Sequence, residues 1–408
     1  MESIIQRLPV EILSEIFLHC REDHEGCRPR LVATICRGWR DVALSTSQLW
    51  SCIDLDEEEI REDSLCSLLE LQLERSGQVP LSIVFCEPRN IVSTLQLLLA
   101  VTHRWHSVSL ACPRPNQVEL LRDSTHSFPI LKRMDIRYVE ELDLEKLFQP
   151  HPQLHELILR TQPGSISATF VEPWSKLSKC CLRGCLAVDA LNILRLAPQL
   201  RELWVEYCYW AGGACSRTTS TLRSLTISNC SNKFKQNFLR NLVVPELQEL
   251  VLDDFTDNNH IVPFLTACCP PLHRLSLTNV VLTEAELIAI LRLVNTLAHL
   301  ELSWPSDVHS SAFIEAMTIP SNTRRPRLLP DLRALSITGG LSCRNDVLLT
   351  MLQSRCPGLE RVELYYAGRT FFFHTAFDQL RKDGMKIDVL LDGPIDPFAP
   401  MEGRRDVQ

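Results

Sequence analysis

Residues 200–205 read "LRELWV", with apolar side chains at the first, fourth and sixth positions. The same pattern returns as "LKRMDI" from Leu131, "LHELIL" from Leu154, "LSKCCL" from Leu177, "LRSLTI" from Leu222 and "LQELVL" from Leu247. It continues as "LHRLSL" from Leu272, "LAHLEL" from Leu297, "LRALSI" from Leu332 and "LERVEL" from Leu359. A weaker relative, "WHSVSL", starts at Trp105. From Leu131 to Leu297 the steps are 23, 23, 23, 22, 25, 25 and 25 residues, and the next two are 35 and 27. Single matches to so loose a pattern arise by chance. Seven consecutive steps of nearly equal length do not.

Within each hexamer the last apolar pair is spaced by two, so these residues point to one side of a short strand. Between the hexamers lie stretches with helical spacing, such as "VDALNILRLAP" and "TEAELIAILRLVNT". Pro152, Pro198, Pro245, Pro271, Pro330 and Pro357 precede strands, where proline ends a helix and favours extended backbone. Strand, helix and period together resemble leucine-rich repeats. The implied fold is an α/β repeat, a horseshoe solenoid over residues 81–395, with an insertion near "PSNTRRPRLLP". One repeat cannot bury its own apolar face, so neighbours must complete the core. "KIDVLL", residues 386–391, is expected as the last strand or a cap.

The repeat also accounts for several of the 17 cysteines. Cys185, Cys208 and Cys230 lie three positions beyond the last apolar residue of a strand, where such repeats carry Asn or Cys to satisfy the turning backbone. Cys180 is a core position, and Cys268 and Cys269 belong to a repeat helix. No C-x-x-C pair occurs, and no metal is expected. His19, Cys20, His24 and Cys27 could supply ligand atoms, but their spacing fits no standard site, and Cys20 ends an apolar arc.

The first fifty residues stand outside the repeat. In "LPVEILSEIFLHC", Pro9, Val10, Ile12, Leu13, Ile16, Phe17 and Cys20 cover about half of a helical circumference. A polar loop follows. Next comes "LVATICRGWRDVALS", with Leu31, Val32, Ile35, Trp39, Val42 and Ala43 at helical spacing, and then "TSQLWSCIDL". Two or three short helices make a marginal core, and such a module needs a neighbour.

These elements resemble an F-box: the Leu8-Pro9-x-Glu11 start, Ile16-Phe17, the "CRGW" segment and Leu49-Trp50. "RSGQVPLSI", residues 75–83, resembles the segment after the F-box in many fungal F-box proteins. Ser47 replaces the usual proline before the Leu-Trp pair, and the loop at 21–30 is unusually charged. The resemblance implies a small all-α module over residues 1–53 that docks on a Skp-family adaptor, and through it on a cullin. The rest of the chain would then select a substrate protein for ubiquitination. Leu8, Pro9, Ile12, Leu13, Ile16, Phe17, Leu31, Ile35 and Trp39 divide between module core and adaptor contact. The expected contacts are Leu8, Pro9, Ile12, Ile16, Phe17, Ile35 and Trp39, with Leu8, Pro9 and Ile16 foremost. The rival reading is a repeat scaffold that joins no ligase.

Between module and repeats, "DLDEEEIREDS", residues 54–64, is expected as a solvated connector or the start of a helix. "LCSLLELQLERSG" is expected as a helix ending at Gly77 that caps the solenoid, so that residues 54–80 form one joining segment. Residues 396–408 are expected as a loose tail.

Composition narrows the function further. The chain of 408 residues carries 42 basic and 50 acidic side chains, a net charge of -8, which argues against a nucleic-acid partner. The clusters Arg324, Arg325, Arg327 and Arg404, Arg405 are short. The most apolar stretch, 91–101, is too short to span a bilayer, so no membrane partner is expected. Met1-Glu2-Ser3 lacks a secretory start, and an odd number of cysteines fits reduced thiols; a cytoplasmic or nuclear protein is expected. No phosphate loop, nucleophile elbow, dinucleotide fingerprint or H-E-x-x-H motif is found, and neither enzyme nor cofactor is expected.

If the strand leucines face inward, positions three and five of each hexamer and the residue after it face outward. The first three repeats then present Arg133, Asp135, Arg137; Glu156, Ile158, Arg160; and Lys179, Cys181, Arg183. "LRELWV" presents Glu202, Trp204 and Glu206. Arg137, Arg160, Arg183, Trp204, Tyr207, Trp304 and Tyr365 are the candidate substrate contacts.

Overall fold

The computed structural model describes residues 8–22, 29–55, 62–85, 92–111, 120, 127–137, 153–161, 174–212, 215–255, 259–303, 311–320, 326–339, 344–366 and 374–391. The chain divides into two compact units, Met1–Gly213 and Ala214–Gln408.

The first unit opens with three helices, α1 (Val10–Glu22), α2 (Pro29–Ile35) and α3 (Arg37–Ser45), and a 3₁₀ turn at Ser47–Trp50. Proline at the first position of α2 costs no hydrogen bond, because that N–H has no intrahelical partner. The sulfur of Cys36 caps α3, accepting from the Trp39 N–H at 3.4 Å. Leu13, Phe17, Val32, Val42, Ala43, Leu49 and Trp50 form the module's core, with Leu8, Leu18, Ala33 and Trp39 packed against it. The rings of Phe17 and Trp39 lie 5.0 Å apart, tilted by 56°. The Trp50 indole N–H donates to the Ala43 carbonyl at 2.8 Å, which satisfies the one polar group this large side chain buries.

Seven parallel strands follow in order: β1 (Cys52–Asp54), β2 (Leu81–Phe85), β3 (Trp105–Ala111), β4 (Arg133–Arg137), β5 (Glu156–Arg160), β6 (Lys179–Arg183) and β7 (Glu202–Glu206). Parallel neighbours need crossovers. Helices α4 (Glu62–Ser76), α5 (Val92–Leu99) and α6 (Ala187–Leu196) lie in three of these connections. The sheet therefore begins at Cys52 rather than at residue 81, and α4 is a crossover between β1 and β2 rather than an end cap. It ends as expected at Gly77, which adopts a positive φ of 56°. The charge run at 56–61 and the tail at 396–408 lie outside the described residues.

The second unit contains a parallel sheet in the order β9 (Ser224–Ser228), β11 (Glu249–Asp253), β12 (Arg274–Thr278), β13 (His299–Ser303), β14 (Ala334–Thr338), β15 (Arg361–Tyr366) and β16 (Lys386–Leu391). A separate pair joins β8 (Thr218–Thr219) to β10 (Leu242–Val243). Between the strands lie α7 (Asn232–Asn241), α8 (Ile261–Cys268), α9 (Glu284–Leu293), α10 (Ser311–Met317), α11 (Asn345–Arg355) and α12 (His374–Lys382). Thr283 and Glu286 close a capping box at the start of α9, with the Thr283 hydroxyl accepting from the Glu286 N–H at 3.3 Å. Arg355 is buried and donates to the carbonyls of Met317, Leu328 and Leu329 at 2.6, 2.6 and 3.0 Å. It thereby ties three backbone groups that no helix or strand would satisfy, and burial lowers its pKa to about 10.

Every one of the ten hexamers, and "WHSVSL", contains a strand. Their leading leucines, from Leu131 to Leu359, are all buried, at most 3% exposed. Burial alternates along most strands, as in Glu202–Glu206, where Leu203 and Val205 point inward. Asp135 and Ile158 break the expectation: both occupy outward positions yet are only 3% and 8% exposed. Arg137 explains part of this, because its guanidinium folds back onto the Asp135 carboxylate at 2.8 Å.

A second regularity follows the strands. The next residue takes a positive φ at Gly184, Tyr207, Asn229, Asp254, Asn279 and Gly339. Glycine, asparagine and aspartate tolerate this conformation best. At Gly184 a side chain is also excluded sterically, since a Cβ would lie 2.3 Å from the Thr161 carbonyl oxygen. After this turn the chain dives back into the core at Cys185, Cys208, Cys230, Phe255 and Val280, all buried. The thiols of Cys208 and Cys230 donate to the carbonyls two residues earlier, Glu206 and Ser228, at 3.4 and 3.2 Å.

Asp189, near the start of α6, is 4% exposed, and its Oδ2 has no hydrogen-bond partner among the described residues. Desolvation by burial raises its pKa to about 6, and a backbone hydrogen bond at Leu186 offsets only part of the shift. The folded-state pKa therefore exceeds the unfolded one. Below about pH 4 both states hold the proton and nothing is lost; between pH 4 and 6 the unfolded chain releases it first, and stability falls. Two pKa units correspond to about 3 kcal/mol. Urea unfolding of Asp189→Asn, compared with the unchanged chain, is expected to show an advantage for the variant that is absent near pH 4 and grows to about 2–3 kcal/mol by pH 7. A constant difference across that range would contradict this origin.

Candidate functional site

Two surfaces of the first unit collect the candidate residues. The first lies on the helical module. A helix this short can bury only one stripe against its neighbours, and on α1 that stripe is Leu13 and Phe17. Val10, Ile12 and Ile16 remain 54%, 48% and 40% exposed, and Pro9 is exposed beside them. On α2, Val32 turns inward, while Leu31 and Ile35 stay exposed at 58% and 61%.

Among the expected adaptor contacts, Pro9, Ile12, Ile16 and Ile35 thus lie on the surface. Phe17 does not: it is 2% exposed, and its ring is engaged with Trp39 inside the module. Leu8 and Trp39 are half-buried against the same core. Val10 and Leu31 are exposed apolar residues missing from the expected set of contacts. The spacing of Leu31 to Ile35, four residues on one helix, is the signal that could have found it. Cys20 is exposed rather than packed.

The second surface is the outward face of β4–β7. The register places Arg137, Arg160 and Arg183 in one row, continued by Glu206. Behind it lies the row Asp135, Ile158, Cys181 and Trp204, and behind that Arg133, Glu156, Lys179 and Glu202. The last row neutralises itself, with Arg133 to Glu156 at 3.4 Å and Lys179 to Glu202 at 3.0 Å. Arg137 is paired with Asp135, and Arg183 approaches Glu206 at 3.9 Å. The Arg183 guanidinium also sits 4.7 Å from the centre of the Tyr207 ring.

The sheet therefore brings together four of the candidate contacts (Arg137, Arg160, Arg183 and Tyr207) and sets Trp204 one row behind them. Tyr365 lies in β15 opposite Thr338 in the second unit, and its side chain is outside the described residues. Trp304 is also outside them.

Among the described residues, the buried cysteines offer no reactive centre. Burial pushes the thiols of Cys180 and Cys185 well above their ordinary range and raises Cys181 to about 11. A thiol held protonated is a poor nucleophile and a poor metal ligand. Among the described residues, no group of three or more His, Cys, Asp or Glu could hold a metal ion. Among them also, no helix is long and apolar enough to cross a membrane.

Residues 5–56 match the F-box-like family, which spans the three helices, the 3₁₀ turn and the first strand. No curated protein matches the chain.

The burial pattern sets an order of thiol reactivity. With iodoacetamide at neutral pH, followed by peptide mass spectrometry, Cys20 and Cys269 are expected to be alkylated in the folded protein. Cys180, Cys185, Cys208 and Cys230 are expected to react only after denaturation. Early labelling of this buried set would contradict the packing described.

Proposed function

We propose that the chain is the substrate-recognition subunit of an SCF-type cullin–RING ubiquitin ligase. Its F-box-like module would dock on a Skp-family adaptor, and its remaining parallel sheet and helices, read as a leucine-rich-repeat horseshoe, would hold the substrate protein. One observation carries this reading: the segment that matches the F-box-like family leaves Pro9, Val10, Ile12, Ile16, Leu31 and Ile35 exposed on a module too small to bury them.

Covering the exposed half of one such aliphatic side chain stabilises a complex by about 1 kcal/mol. Several together could anchor an interface. The chemistry of ubiquitin transfer would occur on other subunits. This chain would supply proximity and orientation, which is an accelerating effect in its own right.

The test is co-purification and titration with a Skp-family adaptor. The unchanged chain is expected to bind. Ile16→Glu and Ile35→Glu, both at exposed positions, are expected to weaken binding by about a hundredfold or more, roughly 3 kcal/mol, while leaving the thermal melt unchanged. Phe17→Ala is the contrasting case, expected to lower the melting temperature because it opens a cavity in the core. Failure of the unchanged chain to bind, where a control F-box does bind, would remove the ligase reading.

A further inference from the structure

We infer that the outward face of β4–β7 is a binding site for an acidic peptide segment, with Arg160 taking a carboxylate side chain and the row behind it taking an apolar one. This deepens the substrate-receptor reading and rests on it for the nature of the partner, a protein.

Arg137, Arg160 and Arg183 occupy one register position on three consecutive strands. Neighbouring parallel strands are about 4.8 Å apart, and like charges placed directly opposite each other destabilise a sheet. Two of the three are compensated from within, Arg137 by Asp135 and Arg183 by Glu206. Arg160, between them, has no hydrogen-bond or ion-pair partner among the described residues. The residue is half-buried, and no counter-charge lies beside it among the described residues.

The charge count selects the ligand. Among the described residues, three guanidinium groups face two carboxylates, and Arg160 is the one left without a counter-charge. A single carboxylate supplies it and matches the planar fork of arginine by two parallel hydrogen bonds. A phosphate dianion would overshoot by one charge unless it displaced Asp135 or Glu206.

The row behind adds the second contact. Cys181 and Trp204, both half-buried, lie side by side two residues back along their strands, next to the buried Ile158. Two residues of strand span about 6.6 Å, the same distance that separates residues i and i+2 on one face of an extended peptide. The favoured segment therefore carries Asp or Glu with an aliphatic or aromatic side chain two positions away.

Tyr207 marks the end of the same row. Among the described residues it is the one aromatic residue in the series of positive-φ turns, where the other positions hold Gly, Asn or Asp. Its ring is 45% exposed and lies against Arg183. A bulky residue kept in an unfavourable backbone conformation, beside a charged row and open to solvent, fits a contact better than a packing role.

The test uses the full chain together with the adaptor and an immobilised library of short peptides, degenerate except for a central Glu, Gln or phosphoserine. Central Glu is expected to bind about tenfold more tightly than Gln and at least as tightly as phosphoserine. Recovered binders are expected to be enriched in apolar residues two positions from the Glu. Arg160→Gln is expected to abolish the preference for Glu over Gln. Tyr207→Asn, which the turn tolerates, is expected to weaken Glu-peptide binding severalfold while keeping or raising the melting temperature. Equal binding of Glu and Gln peptides, a clear preference for phosphoserine, or an unchanged Glu preference in Arg160→Gln would each overturn the inference. Adaptor binding, measured on the same preparations, separates the two proposals. Loss of adaptor binding alone sinks the ligase reading, and loss of Glu selectivity alone sinks this one.

Discussion

No strand of this protein can bury its own inward side chains. In the second unit, Leu250 and Leu252 of β11 sit between Leu225 and Ile227 on one side and Leu275 and Leu277 on the other. All six are at most 2% exposed. Burying each strand is thus a nearest-neighbour problem, whose solution is the parallel sheet with its register locked. A slip of one residue would turn the whole leucine set outward. Truncating one of these leucines would cost about 2–5 kcal/mol, a large part of the stability of a typical domain.

A locked register has a second consequence. It converts sequence spacing into rows on the open face, where side chains are not needed for packing and their identity is free to vary. The positive-φ turn after six of the described strands limits that freedom at one point. The positive φ at Gly184, Asn229, Asp254, Asn279 and Gly339 is met by residues that adopt it readily, and among the described turns Tyr207 departs from the rule. The following residue, often cysteine, anchors the turn from below. The cysteines that look like chemistry in the sequence are therefore architecture: small, apolar, and able to donate a weak hydrogen bond to a turning backbone.

The repeat is legible in the sequence because strand spacing depends only on local pattern, and that pattern recurs. The rows of the open face are legible for the same reason, since alternation within a strand needs no tertiary information. Other features depend on contacts between elements and are not. Strand β1 is only three residues long, too short to show a period, so spacing alone puts the start of the sheet at residue 81. The role of α4 suffers from the same omission: without β1, a crossover helix looks like a cap. On α1 the apolar arc covers half the circumference, so the sequence cannot separate Ile16, which faces solvent, from Phe17, which faces Trp39. Asp135 escapes the alternation rule because the folding back of a long neighbouring side chain, Arg137, is invisible to periodicity.

The displaced boundary changes how the two surfaces of the first unit relate. With a joining segment over 54–80, the module and the sheet would be tethered loosely. Instead a single residue, Ser51, separates Trp50 of the 3₁₀ turn from β1. Ser51 is itself buried: its hydroxyl donates to the Gln48 carbonyl at 2.7 Å, and its own carbonyl accepts from the Ser82 N–H of β2 at 2.9 Å. Helix α4 reinforces the joint from the other side. Gln72 donates to the Cys52 carbonyl at 2.7 Å, and the Arg75 guanidinium lies 4.4 Å from the Trp50 ring centre. The exposed apolar residues of α1 and α2 and the arginine row of β4–β6 are therefore carried by one continuous body rather than by two domains on a linker. In the proposed receptor this stiffness has a purpose. A substrate held at fixed distance and orientation from the docking face loses less entropy on reaching the transfer machinery than one swinging on a flexible arm.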